Sequence, residues 1–113
     1  MDNETIKQKL LEIQPTELDF QVILTGKEST RVNGLYNPET REILLHNKNF
    51  KEDNQLIYTA IHEYTHHLVN EEKLAESGGK IMAGGKAHNA AFWAKFHALL
   101  QKAESLGLYK ISI

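Results

Sequence analysis

The chain contains no cysteine. It can build no thiolate metal site, and it needs no oxidising compartment to fold. It also lacks any run of the ~18 apolar residues that a membrane-spanning helix requires. The start, Met1-Asp2-Asn3-Glu4, is acidic and has no apolar core, so a signal peptide is not expected and a cytoplasmic location is. A basic excess is missing as well. The net charge of -2 argues against avid non-specific binding to nucleic acid, and no direct nucleic-acid or membrane contact is expected. There is no internal repeat and no low-complexity segment. What is present is 113 residues with a 41% hydrophobic and 25% charged share, which suits one compact domain spanning 1–113.

The hydrophobic pattern predicts an α+β order. Asp2 or Asn3 can cap a first helix whose stripe is Ile6, Leu10 and Ile13, widened by Leu11 and stopped by Pro15. Leu18 to Thr25 alternates as a strand with Phe20, Val22 and Leu24 on one face. Arg31 to Tyr36 and Arg41 to His46 read as a hairpin around Asn37-Pro38-Glu39-Thr40, where Asn and Pro suit a type I turn. Gly34 inside the first arm predicts a bulge or a close backbone approach. An exposed edge of this sheet could bind a substrate backbone in extended form. Asp53 is the expected N-cap of a helix running to about Asn70. The paired glycines within Ser77 to Lys86 predict a mobile connection. A last helix is expected from near His88, with Phe92, Phe96, Leu99 and Ala103 as its stripe and Gly107 at its end. Tyr109 to Ile113 reads as a short strand or an extended tail.

The chemistry-bearing stretch is His62-Glu63-Tyr64-Thr65-His66, an H-E-x-x-H. On a helix, residues four apart lie nearly above one another, so His62 and His66 can offer two imidazole nitrogens to one metal ion. Glu63, about 100° round from His62, can reach a water on that metal and act as its base. Ile57, Ala60, Ile61, Tyr64 and Leu68 form an apolar stripe that lets the same helix pack into a core.

Farther on, Ala87-His88-Asn89-Ala90-Ala91-Phe92-Trp93 opens the second helix with H-x-x-x-F-W. The two motifs together resemble the SprT-like metallopeptidases, and the related YgjP-like and WLM-type proteins are similar. The hairpin segment Gly34-Leu35-Tyr36-Asn37-Pro38-Glu39-Thr40-Arg41-Glu42-Ile43 adds to the resemblance, which covers roughly residues 30 to 106. It implies a zincin-like fold in a free-standing minimal form, with a small three-stranded sheet beside the active-site helix. It implies Zn2+ as cofactor, His62, His66 and His88 as its ligands, and Glu63 as the catalytic base. The residues favour His88 over the glutamates independently. If the metal helix continued to Glu76, that carboxylate would lie about 15 Å along the axis from His66, and Glu71 would point roughly 140° away. Glu72 would sit about a turn and a half up the helix, and Glu104 lies roughly 24 Å along the last helix from His88.

The expected function is zinc-dependent hydrolysis of a peptide or protein substrate. Two alternatives stand beside it: a catalytically inert zinc-binding interaction module, and a protease that reaches nucleic-acid-associated proteins through a partner. His67 lies about 140° round the helix from His62 and is expected at the surface or supporting a ligand. His97 is expected at the surface, His46 as a polar strand end, and Trp93 and Phe92 in the core. Tyr36, Tyr58, Tyr109 or His97 could stabilise an oxyanion.

Overall fold

Asp2 starts the first element as expected. Its carboxylate accepts from the Thr5 N–H at 2.8 Å and caps α1, Asn3–Ile13, whose stripe Ile6, Leu10 and Ile13 is buried. The computed structural model describes residues 1–76, 78 and 88–111. They form an α+β fold of three helices and one three-stranded sheet. No helix among them is long and apolar enough to cross a membrane.

The strands are shorter than the alternation suggested. They are β1, Gln21–Leu24, β2, Gly34–Asn37, and β3, Glu42–Leu45. Their order is β1-β3-β2, with β1 parallel and β2 antiparallel to β3. The chain crosses from β1 to the far edge and returns to the middle, so it needs a long connection. That connection is held by side-chain amides from a 3-10 turn at Asn47–Asn49. Asn47 accepts from the Gly26 N–H, and Asn49 both accepts from and donates to the Ser29 backbone. Asn37 closes the hairpin by accepting from the Glu39 N–H at 2.9 Å, and Arg41 completes the turn at φ +58°.

The helices cover one face of the sheet, where Phe20, Val22, Ile43 and Leu45 meet the stripes of α1 and α2. α2 spans Asp53–Glu76, longer at its end than expected. Asp53 does not cap it but stands in its first turn, where a carboxylate suits the dipole; the Glu52 carbonyl accepts from Leu56 N at 3.3 Å. Beyond Asn70 the run Glu71-Glu72-Lys73-Leu74-Ala75-Glu76 consists of strong helix formers. Tertiary contacts hold that extension too. Glu71 accepts from Thr16 Oγ1 at 2.6 Å and the Glu17 N–H at 2.8 Å, and Glu72 pairs with Lys95 of the last helix at 2.5 Å.

That helix, α3, spans Ala90–Ser105. Asn89 caps it through a bond from the Phe92 N–H, so His88 precedes the helix and does not belong to its first turn. Gly107, at φ +75°, donates to Glu104 O, and Leu108 donates to Ala103 O, a Schellman ending. Tyr109 to Ile111 form no strand, and the tail meets the start of α2, where the Asn54 amide both donates to and accepts from the Lys110 backbone; the rest of the expected tail lies outside the described residues. The mobility expected of Ser77 to Lys86 falls outside the described residues except at Gly78, which has φ +71°.

Gly34 is the close approach its position suggested. A Cβ there would lie 3.0 Å from the Leu44 carbonyl oxygen and 3.1 Å from Thr59 Cγ2 of α2. The missing side chain lets β2 lie against α2 one turn before His62. Gly34→Val is expected to destabilise the protein by about 1–3 kcal/mol through overpacking, measured by denaturant unfolding. An unchanged midpoint would show that the strand has room to move.

Candidate metal centre

His62 and His66 occupy successive turns of α2, and His88 approaches them from the residue before the α3 cap. His88 Nε2 lies 3.3 Å from His62 Nε2 and 3.2 Å from His66 Nε2. Two imidazole nitrogens bound tetrahedrally to zinc at 2.0–2.1 Å are roughly 3.3–3.4 Å apart, so this spacing suits one shared ion. All three ligand atoms lie within 4.8 Å of one another, and no carboxylate among the described residues belongs to the group. Glu71 and Glu72 are engaged elsewhere, as described above.

The aromatic surroundings hold the rings in place. Phe92 stacks on His66 at a centroid distance of 4.4 Å, and Trp93 stacks on His88 at 5.6 Å. This burial also sets the protonation. Desolvation, then the neighbouring His88, lowers the pKa of His62. Desolvation first, then His62, His88 and Lys73, lowers that of His66 to about 4. Both rings are therefore neutral at physiological pH, the form that ligates a metal.

Glu63 is more buried than the imidazoles, at 6% exposure. Helical geometry accounts for this, because Glu63 lies seven residues past buried Leu56 and so nearly eclipses it. Its Oε2 is the one buried side-chain polar atom without a hydrogen-bond partner among the described residues. Desolvation pushes its carboxyl up to about 7. Glu63 thus brings a buried carboxyl group to the cleft that the three converging nitrogens line. The triad and Glu63 line an open cleft of about 710 Å³. Its floor is α2, with β2 on one side and His88 and Trp93 on the other.

Two residues stand elsewhere than the sequence suggested. His67 is fully buried, not at the surface. It follows Ala60 by seven residues, which puts it on the apolar stripe, and that spacing was the signal for it. The Leu18 carbonyl can only accept, so His67 Nε2 carries the proton, at 3.1 Å, and Nδ1 accepts from the Tyr36 hydroxyl at 2.7 Å. Trp93, expected in the core, is 40% exposed. It lies above the end of the α3 stripe, overhanging the cleft, with His62 and His88 beneath it. Phe92 is buried and His97 exposed, as expected.

Among the four candidate oxyanion donors, Tyr36 has its proton committed to His67 and also accepts from Asn70. Tyr109 lines a neighbouring hollow, and His97 does not line the cleft. Tyr58 does line it, and its hydroxyl has no hydrogen-bond partner among the described residues. His46 is occupied by a 2.9 Å bond with Thr25 Oγ1.

Compared with known protein families, with curated proteins and with solved structures, the chain matches none.

The purified protein is expected to bind about one divalent metal ion per chain, with zinc as the probe. Zinc at a hundred times its dissociation constant should stabilise it by about 2.7 kcal/mol, seen as a rise in Tm. His62→Ala, His66→Ala or His88→Ala should each abolish most of that rise. A full zinc-induced shift in His88→Ala, together with its loss in Glu71→Ala, would show that the third ligand is wrongly assigned.

Proposed function

We propose that this chain is a zinc-dependent peptidase of minimal zincin-like form, akin to the SprT-like metallopeptidases its two motifs resemble. The observation that carries the reading is the conjunction at one cleft of three converging imidazoles and one buried carboxyl group with an unpartnered oxygen. Three protein ligands leave a coordination position free for water or substrate, whereas a purely structural zinc site is closed by four. An inert binding module has no use for the Glu63 carboxylate, whose burial without a partner is unfavourable.

A divalent ion held by the three imidazoles would acidify a water and polarise a scissile carbonyl. The chain's own residues would do the rest. Glu63 is the proton carrier. Its carboxylate takes a proton as the water oxygen attacks the carbonyl carbon, and it delivers that proton to the amide nitrogen as the C–N bond breaks. A base poised near neutrality suits both transfers, and burial is what raises Glu63 to that range. Tyr58 is the uncommitted donor available to an oxyanion.

The strand beside the cleft supports a polypeptide substrate. β2 is an edge strand. His46 N–H bonds to Asn33 O, so alternation turns the backbone groups of residues 33, 35 and 37 toward β3. The backbone groups of Gly34 and Tyr36 then face outward, where an extended peptide can pair with them. Zinc is preferred to other imidazole-binding metals on the strength of the motif resemblance.

Glu63→Gln fills the same space but cannot take the proton. It should keep the zinc-induced stabilisation and lose about 10²–10⁴-fold in kcat on a zinc-replete peptide-library digest. Cleavage at the unsubstituted rate would remove Glu63 from the mechanism. Absence of cleavage by both forms across the library would favour the inert module.

A further inference from the structure

Seven large hydrophobic side chains are exposed among the described residues, and four of them, Val32, Leu35, Tyr58 and Trp93, line the metal cleft. Such clustering marks a binding surface, since isolated exposed apolar residues would scatter. The four are divided between its two walls and floor. Leu35 pairs with Leu44, between the inward-facing Ile43 and Leu45, so it lies on the outer face of the sheet at the free edge. Tyr58 lies on α2 one turn before His62, and Trp93 overhangs from α3.

A peptide strand added to the β2 edge would send its side chains alternately to the two faces. One set would lie beside Leu35 as cross-strand neighbours. The other would lie over α2, toward Tyr58, Val69 and Trp93. Both sets would meet apolar surface. Apart from the histidines, the only ionisable acid or base side chains among the described lining residues, tyrosines aside, are Glu63 and Lys73.

We infer that the cleft selects extended polypeptide segments carrying apolar side chains on both faces, with Leu35 and Trp93 as the specificity-determining contacts. The inference rests on the peptidase reading for the bond that is cut, but selection itself can be read from binding alone. Segments of this kind are buried in folded proteins, so the substrates are unfolded or locally opened chains.

Trp93 is the only tryptophan in the sequence, so its emission reports directly on occupancy of the cleft. Zinc-loaded Glu63→Gln protein would be titrated with a soluble peptide bearing a central Leu-Phe-Leu-Phe segment between acidic flanks. The control peptide carries Ser-Gln-Ser-Gln in its place. The first should give a saturable emission change, and the second should bind at least about tenfold more weakly, as burial of one or two large apolar side chains implies. Adding Leu35→Asp, or the milder Leu35→Ser, should weaken the first peptide severalfold while leaving the zinc-induced Tm rise intact. Equal affinity for the two peptides, or wild-type affinity in both Leu35 variants, would overturn the inference. Zinc-loaded unsubstituted protein is then given the same peptides. Apolar-selective binding without cleavage overturns the hydrolytic reading and leaves the selectivity standing. Equal cleavage of both peptides overturns the selectivity and leaves hydrolysis standing.

Discussion

The buried imidazole of His67 fixes how α2 is rotated against the sheet, and the cleft depends on that rotation. Its Nε2 proton is held by the Leu18 carbonyl and its Nδ1 accepts from Tyr36, so one ring joins the approach to β1, the edge strand and the metal helix. Desolvation lowers its pKa and keeps it neutral, which the hydrogen-bond pattern requires. Tyr64, next on the same stripe, donates to the Gln14 carbonyl after α1 and packs against Phe20. These directional contacts add what an apolar stripe alone lacks. Hydrophobic burial is non-directional, whereas a hydrogen bond weakens steeply with misalignment. With the stripe so locked, His62 and His66 turn toward the cleft and Glu63 is carried to the boundary between core and opening.

Burial at that boundary acts in opposite directions on the two kinds of group. It lowers the pKa values of His62 and His66 and raises that of Glu63, because it always disfavours the charged form. Neutral imidazoles and a proton-avid carboxyl are the states that metal binding and proton transfer require. Desolvation is the common cause, and around His62 it comes from the aromatic rings of Phe92, Phe96 and Trp93. The same aromatic cluster joins α3 to α2, so the packing that stabilises the fold also shapes the site.

The small sheet contributes in a different way. Gly34 lets the edge strand lie close on α2, and Tyr36 links that strand to His67. Backbone groups of β2 left unpaired by β3 therefore border the cleft. An unpaired edge is an aggregation hazard in most proteins. Here it is confined to four residues and bordered by the cleft, which limits what can pair with it.

Much of this was legible in the sequence. Local patterns determined the α+β order, the capped first helix, the stripes of Ile6, Leu10 and Ile13 and of Phe92, Phe96 and Leu99, the hairpin turn and the close approach at Gly34. Each depends on residues a few positions apart, where backbone geometry fixes relative directions. The same holds for His62, Glu63 and His66, whose common helix makes their spacing a spatial statement. Tertiary structure alone decided the rest. The extension of α2 past Asn70 depends on Glu71 meeting Thr16 and Glu72 meeting Lys95, partners far off in the chain. The sheet order β1-β3-β2 depends on a crossover that no local period encodes. Trp93 went outward because helical phase says which side of a helix a residue occupies, but not how far the covering layer reaches. The approach of His88 to within 3.3 Å of both α2 histidines is of this kind as well, since it depends on where α3 packs and not on the spacing between the motifs.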